Sequence, residues 1–283
     1  MKQRIITALI LAPLAIAGIF FLPLKLFMLL SAAIFLLASK EWGGFVNQGG
    51  CNFVFYSFAL ILGATLLFMP VPLIWVNGVI NPYINYGLMA AVIWWGISLI
   101  IVSSYPRSAA IWKNSKTIKS LFGLCTLIPF FWGMVTIRSI NMHHDFYFGA
   151  QLLMLVFLIV WAADTGAYFV GKKFGKHKLA PNVSPGKTRE GFFGGLCSSM
   201  LVAFLASLYF AIPNDKMVIF FVAALITNIV SALGDLNESI LKREAGLKDS
   251  GNLLPGHGGI LDRIDSLTAA VPVFAFIYLT WLN

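Results

Sequence analysis

Marked for apolar and polar positions, the chain alternates between long apolar runs and short polar connections. Apolar runs lie near residues 5–23, 25–39, 53–69, 83–103, 120–138, 149–170, 191–211, 217–236 and 267–282. A helix needs about 20 apolar residues to cross a bilayer. The pattern therefore predicts nine membrane helices in one bundle, the second run being the shortest. Pro70, Pro72 and Pro82 mark a loop between the third and fourth runs. The start, MKQRIITALILAPLAIAGIFFL, has the charged head and apolar run of a signal peptide. It carries Phe21, Leu22, Pro23 and Lys25 where cleavage needs small residues, so it reads as an uncleaved first span.

Composition agrees. Of 283 residues, 59% are hydrophobic and 11% charged, with mean hydropathy +0.85. Soluble domains carry roughly 25% charged residues. The expected class is an all-α polytopic integral membrane protein. Residues 1–110 would supply N-terminal transmembrane helices. Residues 111–283 would form the region that carries chemistry, with cytoplasmic loops at 171–190 and 237–266. Nine crossings place 17 of the 20 Lys and Arg residues on one side, Lys2 and Arg4 among them, and leave Lys25, Arg138 and Lys216 on the other. The positive-inside rule then puts the N-terminus in the cytoplasm and the C-terminus outside. Cys51, Cys125 and Cys197 show no paired or metal-ligand spacing and are expected to be free packing thiols.

Charge brings in the chemistry, because the chain has only eleven acids. Asp164 falls late in the sixth run, Asp235 at the end of the eighth, and Asp262 and Asp265 at the entrance to the ninth. Carboxylates at membrane depth are costly unless paired or bound to a cation. Asp262 and Asp265 are three apart and so share a helix face. With Asp235 they suggest oxygen ligands for a divalent cation. Structural salt bridges or end-of-helix charges are the competing reading.

Next to these acids stand elements suited to phosphate. Pro255-Gly256-His257-Gly258-Gly259 leads into a helix start, where glycine lets backbone N–H groups approach an anion. A plain hinge is the alternative. In SPGKTREGFFGG (184–195), Lys187 with the Ser184 and Thr188 hydroxyls could hold a phosphate. The GKT is not a P-loop: Pro181 stands where its first glycine belongs, and no strand is expected in this chain. Lys242, Arg243 and Lys248 could neutralise a polyphosphate, although Glu238 and Lys242 also form an i,i+4 pair typical of helix surface. Together these features imply metal-assisted phosphoryl or nucleotidyl transfer to a substrate in the bilayer.

Ser239-x-x-Lys242-Arg243, Lys248-Asp249-x-Gly251 and the run from Pro255 to Asp265 closely resemble the signature of phosphatidate cytidylyltransferases (CDP-diacylglycerol synthases). WAADTGAYFVGKKFGKHKLAP, SPGKTREG and GDLNES extend the resemblance, and IWKNSKT and PFFWGM resemble the Gram-negative form. Arg189 departs from the family, which often has an aromatic residue there. The resemblance implies transfer of CMP from CTP to phosphatidate with release of pyrophosphate, in the bacterial inner membrane, the active site facing the cytoplasm and the C-terminus the periplasm. It implies Mg2+ on Asp235, Asp262 and Asp265, with a second cation left open. Lys187, Asp262 and Asp265 would be catalytic. Ser184, Thr188, Lys242, Arg243, Lys248, His257, Gly258, Gly259 and Arg263 would bind substrate. Membrane lipids and a homodimer partner are implied; nucleic acid is not. Asp164 receives no role, and Arg263 stays open between partner for the acids and phosphate contact. Two other readings remain: an ion or anion transporter using Asp164 and Asp235, and an enzyme activating another lipid phosphate.

Overall fold

The computed structural model describes residues 2–47, 52–76 and 78–283. The expectations for Cys51 and for the side chains of Lys2 and Arg4 lie outside the described residues. Each of the nine apolar runs falls on a helix: α1 (Lys2–Phe21), α2 (Leu24–Val46), α3 (Asn52–Phe68), α4 (Pro82–Ser103), α6 (Lys116–Ser139), α7 (Phe148–Phe174), α8 (Arg189–Tyr209), α9 (Asn214–Glu244) and α10 (Leu261–Ile277), the last continued by a π-helical turn. A short α5 (Ala109–Trp112) precedes α6. Among the described residues, six helices (α4 and α6 to α10) are long and apolar enough to cross a membrane; α1 and α3 hold shorter apolar segments.

Several helices outrun their apolar stretches. α2 continues through Lys40 and Glu41 to Val46 because its end is stapled to α6. Lys119 Nζ donates to the carbonyls of Phe45 (2.7 Å) and Val46 (3.1 Å), and Trp42 Nε1 donates to Lys119 O at 2.8 Å. A cation on the last carbonyls is the favourable end of a helix dipole. Likewise α7 runs to Phe174 and α9 to Glu244, so the expected loops 171–190 and 237–266 are partly helical. Polar residues past the bilayer edge extend a helix at little cost, and hydropathy does not register them.

The absence of strands is also corrected. β1 (Trp75–Val76) pairs with β2 (Val79–Ile80) inside the proline-marked loop, and β3 (Lys178–Ala180) pairs antiparallel with β4 (Ser184–Thr188), which is the SPGKT stretch itself. Such two-stranded pieces are too short to leave an alternating pattern.

Small residues set the tightest helix crossings. A Cβ on Gly195 of α8 would lie 2.5 Å from the Ala163 carbonyl of α7, and one on Gly133 of α6 would lie 3.1 Å from Pro272 Cα of α10. One continuous core links Phe35 and Trp42 of α2 with Phe131 of α6, Phe220 of α9 and Phe274 of α10. The N-terminal helices are thus packed onto the later ones. Of the thiols, Cys125 is half-buried and Cys197 exposed; both are free.

At the end of the bundle remote from Lys187, two basic residues act as caps. Arg138, fully buried, donates to the carbonyls of Ile19 (2.7 Å), Leu22 (3.3 Å) and Phe146 (3.2 Å), and Lys216 Nζ donates to Leu282 O at 2.8 Å. His143 and His144 lie in the exposed turn beside them. Arg138→Met leaves three carbonyls without their donor, at about 1–3 kcal/mol for each buried polar group left unmade. We expect a fall in detergent Tm of several degrees, measured by scanning fluorimetry, with little effect on chemistry at the other end.

Candidate active site

The last turns of α9 place Asp235, Glu238, Ser239 and Lys242 at spacings of three, four and seven, which is one helix face. Lys242 Nζ sits 3.1 Å from Glu238 Oε2 and 2.7 Å from Asp262 Oδ1. The side chains of Lys242, Glu238 and Asp262 are 14%, 4% and 6% exposed. The Glu238–Lys242 pair is therefore not helix surface. It is the buried seam by which α9 grips the start of α10.

Asp262 spends its other oxygen on the preceding loop. Asp262 Oδ2 accepts from Gly259 N (2.8 Å) and Ser250 N (2.8 Å), and Ser250 Oγ lies 2.9 Å away. The same hydroxyl is 2.9 Å from Glu41 Oε2. Its single proton serves one carboxylate at a time. Glu41, carried by α2, also accepts from Ile260 N (2.9 Å) and Leu261 N (2.8 Å). It thus caps α10 from another helix, where an anion suits the dipole.

This revises the glycine run. The amides of Gly259, Ile260 and Leu261, expected to face a phosphate, are filled by the protein's own carboxylates. Gly258 and Gly259 make room for those carboxylates. Gly258 has φ +81°, and a Cβ there would come within 2.6 Å of Asp262 Oδ2; a Cβ on Gly259 would collide with Glu41 and Ser250. Left-handed backbone costs an L-residue about 1–2 kcal/mol before the contact is counted. We expect Gly258→Ala to lower turnover at least tenfold while membrane insertion persists, as judged by activity per inserted protein.

Beyond this seam lies a cavity of about 490 Å³ between α7, α8, α9 and the β3–β4 hairpin. Asp164, Lys187, Thr188 and Asp235 stand in its wall, with Asn228 and Ser231 deeper along α9. Lys187 Nζ is 2.6 Å from Asp235 Oδ2, and Ser239 Oγ donates to Asp235 Oδ1 at 3.3 Å. Asp164 is within electrostatic reach of Asp235, Lys187 and Arg263. Asp265, whose carboxylate accepts from Ser266 N at 2.7 Å, is within reach of Asp235, Glu238 and Lys187.

The predicted site residues separate into groups. Lys187, Asp235, Lys242, Asp262 and Asp265 come together at one end of the bundle. Thr188 lines the cavity, yet its hydroxyl is the N-cap of α8, accepting from Gly191 N at 3.1 Å. Arg243 Nε donates to Val183 O at 3.2 Å and ties the hairpin to α9. Ser184 and Lys248 are not among the cavity's lining residues. His257 and Arg263 line a different, apolar cavity. Sequence reasoning missed Glu41 and Ser250 and undervalued Glu238. The available signal for Glu41 was its isolation: no other acid precedes Asp145.

Against known proteins, residues 2–281 match the Cytidylyltransferase family. The chain belongs to that family. Two similar relatives are both named phosphatidate cytidylyltransferase. The one from Haemophilus influenzae is 41% identical over 98% of this chain and 98% of its own length, and that from Pseudomonas aeruginosa is 40% identical over 97% and 96%. A Staphylococcus aureus protein of the same name is 38% identical over 66% of this chain. The family match covers α1 and α2 as well as the cavity, in keeping with the part Glu41 plays.

Proposed function

We propose that the protein makes CDP-diacylglycerol and pyrophosphate from CTP and phosphatidate. The observation that carries this reading is the full-length similarity to two phosphatidate cytidylyltransferases, joined to a cavity that sets Lys187 against acids within the bundle. A phosphatidate oxygen forms a bond to the α-phosphorus of CTP. The bond from that phosphorus to the bridging oxygen breaks, and pyrophosphate leaves with the electron pair. The acceptor is a phosphate monoester, already ionised near neutral pH, so no general base is required. Lys187 stabilises the charge that develops. The amides of Ser250 and Gly259 hold Asp262 through Oδ2, which leaves Oδ1, now on Lys242, as the oxygen that would turn to a cation.

Mg2+ fits the donors present. Asp235, Asp262 and Asp265 would hold it, all through hard oxygens. Glu238 Oε1 is buried without a hydrogen-bond partner, and ammonium groups sit on Asp235 and Asp262, where a cation is wanted. Among the described residues no three His, Cys, Asp or Glu side chains form a ready metal cage, so binding requires those carboxylates to turn from the lysines. A bound Mg2+ would offset charge on the reacting phosphates. The expected placement of 17 basic residues on one side, if all nine runs cross, supports an active site facing the cytoplasm. The Haemophilus and Pseudomonas relatives favour a Gram-negative inner membrane, and a homodimer belongs to the same reading. The test is one assay offering CTP, ATP, GTP or UTP with phosphatidate or a prenyl phosphate. Product from CTP and phosphatidate alone is expected; preference for a prenyl acceptor, or nucleotide-independent ion flux in proteoliposomes, refutes the reading.

A further inference from the structure

A second cavity, of about 320 Å³, adjoins the first along α7. Trp161 lines the second and Asp164, less than one turn further on, lines the first. Its walls are apolar, with Leu11, Ala15 and Ile19 from α1, Ile34 from α2, Phe131 from α6 and Phe157 from α7. From Leu11 to Ile19 it follows α1 for about 12 Å at 1.5 Å per residue. One end is different. There His257, from the loop before α10, and Arg263, from the first turn of α10, enter the lining. His257 Nδ1 is buried without a hydrogen-bond partner. Arg263 is an exposed residue whose guanidinium has no hydrogen bond or ion pair at contact distance among the described residues, although Asp164 lies within electrostatic reach. Ser31 of α2 lines the same cavity, and its Oγ is buried and unpartnered.

An apolar slot ending in a free guanidinium and an imidazole has the chemistry of an anionic amphiphile. We propose that this cavity receives an acyl chain of the lipid acceptor and that Arg263 and His257 hold its phosphate monoester. This rests on the reading given under Proposed function and assigns the second substrate a place. Guanidinium suits a phosphate because its fork of donors meets two oxygens at once. Held there, the phosphate stands beside Asp164 and opens toward the cavity of Lys187 and Asp235, so nucleotide and lipid approach from separate chambers. The other large clefts do not compete. The cleft of about 650 Å³ between α4, the β3–β4 hairpin and α9, and the one of about 590 Å³ between α3, α4 and α6, have no charged side chain in their linings. Neither offers a seat for a phosphate.

The test is photolabelling of the full-length protein in vesicles, without CTP, by phosphatidate carrying a diazirine on its acyl chain. Labelled peptides are expected from residues 11–19 and 27–34. A diacylglycerol with the same diazirine and no phosphate is expected to label them at least tenfold less. Arg263→Gln should cut phosphatidate labelling about tenfold, with Arg263→Lys recovering part of it. Ala15→Trp, which fills the slot, should raise the ratio of KM for long-chain over short-chain phosphatidate at least tenfold. Labelling on α4 or α8 instead, equal labelling by diacylglycerol, or an unchanged chain-length ratio in Ala15→Trp overturns the proposal. Photolabelling does not depend on product formation. A wild type that labels on α1 but makes no CDP-diacylglycerol refutes the proposed reaction and leaves the lipid slot standing.

Discussion

Asp262→Asn is expected to reduce CTP-dependent formation of CDP-diacylglycerol by at least a hundredfold, with the protein still inserted in the membrane. The reason is the number of donors aimed at one carboxylate. Lys242 Nζ, Ser250 N, Gly259 N and the Ser250 hydroxyl all lie within 2.9 Å of its oxygens. Asparagine keeps one acceptor and turns an NH2 group toward a donor. It also leaves Lys242 buried with Glu238 as its remaining close counter-charge. Removing one partner of a buried charge pair costs about 3–5 kcal/mol, and a hundredfold in rate corresponds to about 3 kcal/mol. Product per unit of inserted protein is the measurement; activity above a tenth of wild type refutes the role.

Glu41→Ala should have an effect of similar size by a different route. Glu41 does not line the cavity of Lys187 and Asp235. It fixes the start of α10 through the amides of Ile260 and Leu261 and shares Ser250 with Asp262. Losing it leaves the amides of Ile260 and Leu261 without their acceptor, while the Ser250 hydroxyl keeps Asp262; hydrogen bonds to a charged group contribute about 1.5–3 kcal/mol each. We expect kcat to fall about a hundredfold while KM for CTP changes less than threefold. Hydrogen exchange at Ile260 and Leu261 should accelerate while the middle of α10 stays protected. Glu41→Gln, which keeps an acceptor, should retain more activity than Glu41→Ala. A uniform loss of protection across α10 would mean general unfolding and would defeat the positioning role.

These two residues show which parts of the site can be seen in a sequence. The acids of α9 and α10 were legible because three- and four-residue spacing is a local property of helices. Lys187 was legible because it stands beside the start of a span. Glu41 meets Ser250 across 209 positions, and no periodicity carries that information. The apolar runs located the helices, yet they missed the ends: α2 and α9 continue past their runs, and those continuations carry Glu41, Glu238 and Lys242. The β3–β4 hairpin escaped for a related reason, since its order comes from pairing with itself, from Arg243 on Val183 and from the buried side chain of Val183 at its turn, none of which leaves an alternating pattern. The glycines at 256–259 were correctly singled out as unusual. In the structure the amides of Gly259, Ile260 and Leu261 take carboxylates of the same chain, which no local pattern announces.

The staple between α2 and α6 has a consequence for taking the molecule apart. Trp42 and Lys119 lock the very turn that bears Glu41, so the group that finishes the α10 entrance is delivered by the first fifth of the polypeptide. A fragment starting near residue 111 would retain Lys187, Asp235 and Asp262 without the Glu41 cap, and we expect it to be inactive. Nor would a foreign membrane anchor grafted in front of it restore one, unless that anchor returned a carboxylate to the same point. We expect the catalytic unit to include α2.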